Sequence, residues 1–144
     1  MSDPVPQILF ATDFSGGSVP AAEMAAAYAR RLGARLHVLH VTHAGWEGEM
    51  LEALRAYVQR FADLPVTASV EAGSADRIVA YADLNRVELI VLGTHGRTGS
   101  TRAVLGSVAE RVTRTAHCPV MTVPRDLHAK PLRAPTPCAG ALTI

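Results

Sequence analysis

The chain has 144 residues, 49% of them hydrophobic, with 14 Lys and Arg set against 13 Asp and Glu for a formal net charge of +1. That length suits one domain with a sizeable core and leaves no room for a second, and a balanced charge without a dense basic run gives no basis for a nucleic-acid partner. The two cysteines, Cys118 and Cys138, are too few for a disulfide framework and lack zinc-ligand spacing; with no signal-like N-terminus and no apolar run near the ~18 residues of a membrane span, the expectation is a soluble cytoplasmic protein.

Gln7-Ile8-Leu9-Phe10-Ala11-Thr12 is a short apolar run ending at Asp13-Phe14-Ser15-Gly16-Gly17, which predicts a buried strand opening into a loop. Ser18 to Leu32 predicts a helix: Ala21, Met24, Ala25, Tyr28 and Leu32 fall near one face, Pro20 is tolerated in the first turn, and Gly33 ends it. Arg35 to Val41 supplies a second strand, and Met50, Leu54, Tyr57, Val58 and Phe61 recur at helical intervals between Glu47 and Ala62. A third strand is expected over Pro65 to Val70, then a helix capped by Ser74 and carrying Ile78, Val79, Ala82 and Leu84. Glu88 to Leu92 is the continuous apolar kind of strand found in a parallel sheet covered on both sides. Val104, Leu105, Val108, Val112 and Ala116 mark a helix between Thr101 and Thr115, interrupted or restarted at Gly106, and Pro119 to Val123 is a last strand.

Five strands alternating with four helical segments make an α/β unit with right-handed crossovers and helices on both faces, over residues 1–124. Residues 125–144 contain Pro131, Pro135 and Pro137 with little apolar periodicity, and predict an irregular tail, mobile by composition or else packed across a partner subunit.

The chemistry concentrates at Gly93-Thr94-His95-Gly96-Arg97-Thr98-Gly99, followed after an interval by Gly106-Ser107. An apolar strand running into small residues can turn backbone N–H groups toward an anion, and a helix opening at Ser107 adds unpaired first-turn amides. Ser107 with Glu110 reads as a capping box. In an open parallel sheet, ligands bind outside the carboxyl ends of the strands where the order reverses, so Asp13-Phe14-Ser15, Thr42-His43-Ala44 and the glycine loop meet at one crevice if the first and fourth strands are neighbours. There Asp13 suits a ribose or base, or a place near a cation through water, or simply caps its own turn. Val41 offers backbone groups to a base edge, and Arg97, Thr98, Ser100 and His95 are polar candidates near the anion. Neither a nucleophile elbow nor paired carboxylates are evident, and the only lysine, Lys130, lies in the tail, which removes a Walker-type hydrolase.

These residues resemble the universal stress protein family. The likeness runs from Ile8-Leu9-Phe10-Ala11-Thr12-Asp13-Phe14-Ser15 through the glycine loop to Leu105-Gly106-Ser107-Val108-Ala109-Glu110-Arg111-Val112, and on to His117-Cys118-Pro119-Val120. The family's nucleotide motif, Gly, two residues, Gly, nine residues, Gly and Ser or Thr, is matched by Gly93, Gly96, Gly106 and Ser107. The resemblance implies a Rossmann-like, adenine nucleotide alpha hydrolase-like parallel sheet in the order 3-2-1-4-5, a homodimer through the fifth strands, and ATP with Mg²⁺ as ligands. It further implies Asp13 at the ribose or base, Val41 at the adenine, the phosphates at Gly93, Gly96, Gly106 and Ser107, and Arg97, Thr98 and Gly99 in the surrounding loop. The family role is nucleotide-dependent stress response with slow or absent hydrolysis.

Two departures stand beside the match: Ser100 replaces a larger aliphatic residue, and the connection from Val41 to Glu47 is short. They keep open a structural or interaction protein acting through its dimer surface and tail. A slow ATPase is the remaining alternative.

Overall fold

The computed structural model describes residues 4–94 and 105–127. Strands β1 (Gln7–Ala11), β2 (Arg35–Thr42), β3 (Val66–Ala72), β4 (Leu89–Gly93) and β5 (Val120–Val123) alternate with helices α1 (Val19–Leu32), α2 (Glu47–Tyr57), α3 (Asp76–Leu84) and α4 (Ser107–Thr115). The strands form one sheet in the order β3-β2-β1-β4-β5, and every pairing is parallel.

The period-two alternation of side chains sorts the apolar residues onto two faces. Ile8, Phe10, Leu36, Val38 and Val91 point toward α1 and α2, where they meet the alanines Ala21, Ala22, Ala25, Ala26 and Ala29, with Leu54 and Phe61. Leu9, Leu39, Ile90 and Leu92 point the other way, onto Ile78, Val79, Tyr81 and Ala82 of α3 and Ala109 and Val112 of α4. An alanine stripe lets α1 lie close to the sheet, so Phe10, which is fully buried between Val38 and Val91 in register, fills the space beneath it. Gly33 ends α1 in the left-handed conformation (φ 63°), the place where a side chain is disfavoured.

Several boundaries and caps differ from expectation. The second helix ends at Tyr57 and tightens into a 3-10 turn over Val58–Phe61, and β3 runs to Ala72. The third helix is capped at Ala75, with the Ser74 carbonyl receiving the Arg77 N–H, so Ser74 does not act as a side-chain cap. The expected capping box at Ser107 is corrected as well: Gly106 is the N-cap, Ser107 is already helical, and Glu110 instead pairs with Arg114 one turn on. Leu84, Leu105 and Val108 are exposed rather than core, because α3 and α4 bury only narrow stripes. Val104 and the tail beyond Leu127 lie outside the described residues.

Because β2 lies on one side of β1 and β4 on the other, the chain leaves β1 in one direction and returns to its opposite flank after β3. That reversal opens a crevice at the carboxyl ends of β1 and β4, which is where such sheets receive ligands. Among the described residues no helix is long and apolar enough to cross a membrane.

Candidate functional site

A cavity of about 330 Å³ occupies the reversal point, a size within the ~300–1,000 Å³ typical of small-molecule sites. Its walls come from the ends of β1, β2, β3 and β4 and from the start of α4.

The β1 wall is a tight turn built by short polar side chains. Asp13 accepts the Ser15 N–H at 2.9 Å, and Thr12 accepts the Phe14 N–H at 3.0 Å through its hydroxyl. Ser18 closes the turn by donating from its hydroxyl to the Ser15 carbonyl at 2.8 Å. Phe14 adopts φ 66°, unusual for a bulky residue, and is held there by its ring against His40 (centroids 4.5 Å) and Tyr57 (5.7 Å). His40 is buried, with Nδ1 2.7 Å from the Thr12 carbonyl. A carbonyl only accepts, so Nδ1 carries the proton and His40 braces the strand end from which Asp13 projects. Asp13 therefore both caps its turn and lines the cavity.

The opposite wall is the start of α4. The Gly106 N–H donates to the Thr94 carbonyl at 2.6 Å, which ties the two ends of the glycine loop together. Gly106 is extended and its carbonyl accepts the Glu110 N–H, the first intrahelical bond. The N–H groups of Ser107, Val108 and Ala109 fall in the first turn, where a helix supplies no acceptor, and all three residues line the cavity. At Gly93 an added methyl would meet the Gly17 carbonyl at 3.6 Å, an ordinary contact, so the protein's own packing does not demand glycine there.

Of the residues singled out from the sequence, Asp13, Val41, Gly93, Gly106 and Ser107 all line this cavity. Gly96, Arg97, Thr98 and Gly99, with His95 and Ser100, lie outside the described residues. The lining includes Val41 but not Thr42-His43-Ala44; the β3 end supplies Gly73, Ser74 and Ala75 instead. Gly73 has φ 140° and an added methyl would sit 2.8 Å from Arg77, so this turn admits little but glycine. Thr94, within the glycine segment, is also in the wall, and so are Thr12 and His40, which look like ordinary strand sequence until the topology places them at the end of the sheet.

Among the described residues, Asp13 is the sole carboxylate in the lining and no cluster of His, Cys, Asp and Glu could hold a metal by itself. Outside the cavity, Cys118 is partly buried and burial, followed by the nearby Asp83, pushes its thiol up, which fits a structural cysteine.

The sequence model of the universal stress protein family matches residues 5–60 and 43–124. A universal stress protein of Methanocaldococcus jannaschii is 35% identical over 137 residues, covering 81% of each chain. Among solved structures, a universal stress protein from Lactobacillus plantarum has a TM-score of 0.69 at 24% identity, covering 85% of this chain and 99% of that one. Another, from Archaeoglobus fulgidus in complex with dAMP, has a TM-score of 0.64 at 25% identity over 83% of this chain and 97% of that one. With the sheet order, the glycine spacing and these matches in agreement, the chain belongs to the universal stress protein family.

Proposed function

We propose that the protein binds ATP, carried with Mg²⁺, in the crevice between β1 and β4 and acts as a nucleotide-dependent stress-response or signalling module. The observation that carries this reading is the convergence of Asp13, Val41, Gly93, Gly106 and Ser107 on one cavity from separate elements. A related structure in complex with dAMP supports an adenine nucleotide as the ligand class.

The donor set fits the ligand. First-turn amides of α4 suit phosphate oxygens, and the Asp13 carboxylate, which lines the cavity at the end of β1, suits ribose hydroxyls. Backbone groups of Val41, half-buried at the end of β2, suit an adenine edge. Mg²⁺ usually keeps several waters and binds through substrate phosphates, so one protein carboxylate suffices for a nucleotide-borne ion. Gly96, Arg97, Thr98 and Gly99 complete the phosphate loop in this proposal, and the protein works as a homodimer through β5.

Hydrolysis is slow. Rapid phosphoryl transfer needs a base positioned at the terminal phosphate, and the one carboxylate of the described lining, Asp13, stands at the nucleoside end in this reading. Single-turnover assays should leave ATP largely intact over a minute; multiple turnovers per second, abolished by Ser107→Ala, would refute this. Calorimetric titration of nucleotide-free protein with ATP and Mg²⁺ tests the binding itself. Saturable heat below about 1 mM is expected, and its absence overturns the proposal.

A further inference from the structure

The described lining of the crevice contains neither Lys nor Arg, yet two arginine side chains lie against its glycines. Arg77 lies over Gly73 and spends its Nε–H on the Ala72 carbonyl at 3.2 Å. Arg125 lies over Gly17: a methyl placed on Gly17 would be 3.5 Å from Arg125 Cβ and 3.7 Å from its Nε. Arg125 has no hydrogen-bond or ion-pair partner among the described residues and is exposed. The same point on Gly17 is 3.7 Å from the Ser15 hydroxyl, which is buried and also lacks a partner. Two unspent donors thus flank one backbone segment of the cavity wall. An anionic oxygen is the group that accepts from both.

The position of this pair along the crevice decides which part of a ligand it meets. Val41, Gly73 and Ser74 mark the end beneath β2 and β3, and Gly17, Gly93 and Thr94 mark the end toward β5. Arg125 follows β5 directly, in a turn closed by the Leu127 N–H on the Pro124 carbonyl, and Val123 is tied to the β4 end through the Thr94 N–H. From β2 to β5 the sheet spans three strand spacings, or ~14 Å, so a nucleotide with its base over β2 extends its phosphate chain toward Arg125.

Resting on the adenine-nucleotide reading above, we propose that Arg125, with the Ser15 hydroxyl beside it, is a specificity residue that clamps the distal phosphates and makes the site prefer nucleoside polyphosphates to monophosphates. The guanidinium swings from its place over Gly17 to donate to the terminal phosphoryl oxygens, which uncovers the Ser15 hydroxyl for the same anion. An AMP phosphate held at the α4 amides stops short of it.

The test is a titration of the full chain with ATP and with AMP, for wild type, Arg125→Gln and Arg125→Lys. Removing one charge-assisted contact should weaken ATP about tenfold in Arg125→Gln, with AMP changed less than about twofold, and Arg125→Lys should recover part of the loss. Because Arg125 is exposed, the variant should keep its fold, which circular dichroism checks. An equal change for ATP and AMP, or no change for either, overturns the Arg125 assignment while leaving the nucleotide reading intact. Wild type that binds neither ligand overturns both.

Discussion

At the scale of single residues, the two buried histidines do different work. His40 donates to the Thr12 carbonyl and packs at a tilt against Phe14, so it holds the turn that presents Asp13. Replacing it with Leu leaves a buried carbonyl without its donor. We expect a loss of about 1–3 kcal/mol in urea unfolding, together with weaker ATP binding; unchanged affinity in a folded variant would show that the brace does not position Asp13. His37 instead sits at the centre of a chain of hydrogen bonds to Tyr81 and Gln7, with Ser69 on the far side of Tyr81. Burial, and then the nearby Arg35, holds its imidazole below the usual histidine range. The unfolded chain therefore binds a proton before the folded one. Stability is fully present above the unfolded value of about 6.5 and falls as pH drops through it toward the folded value. Asp63 and Asp76, held low by Arg30 and Arg111, do not titrate in that window. Urea unfolding at pH 7.5 and 5.5 should show lower stability at the acidic pH, and His37→Gln should reduce the difference; an unaltered difference would point to other groups.

Among the elements, the two at the crevice differ in what a substitution does. Gly106 is extended (φ −65°, ψ 159°), a conformation any residue adopts, so Gly106→Val should fold with a Tm close to wild type. Gly106 lines the cavity beside the α4 amides, so a branched side chain there should obstruct phosphate, and ATP affinity should fall at least about tenfold, the loss of one or more charge-assisted bonds. Gly73→Ala is the converse, straining the β3–α3 turn by about 1–3 kcal/mol, which thermal unfolding would register. The strands were legible in the sequence because a sheet covered on both sides writes continuous apolar runs, as at Leu89 to Leu92. Helix ends were less so: Ser74 and Ser107 look like caps, yet the backbone starts each helix elsewhere, at Ala75 and Gly106. The site was half legible. Gly93, Gly106, Ser107 and Asp13 carry recognisable residue types at a recognisable spacing. Gly73, His40 and Thr12 do not, since their membership follows from which strands become neighbours, and periodicity carries no information on strand order.

For the whole molecule, β5 is an edge strand among the described residues, and the homodimer proposed above would pair it across a two-fold axis. Light scattering of the purified protein should give twice the mass of the chain, and a monomer at working concentration would count against the dimer. An adenine nucleotide at the reversal point of the sheet, as proposed, would lie between Asp13 and the start of α4. Titrating ATP and Mg²⁺ into isotopically labelled protein, with the backbone amides followed by NMR, tests that placement. Saturable shifts are expected at Asp13, Val41, Gly93, Gly106 and Ser107, with Asp63 and Cys118 nearly unmoved. Shifts confined to other surfaces, or none up to about 1 mM ATP, would contradict it.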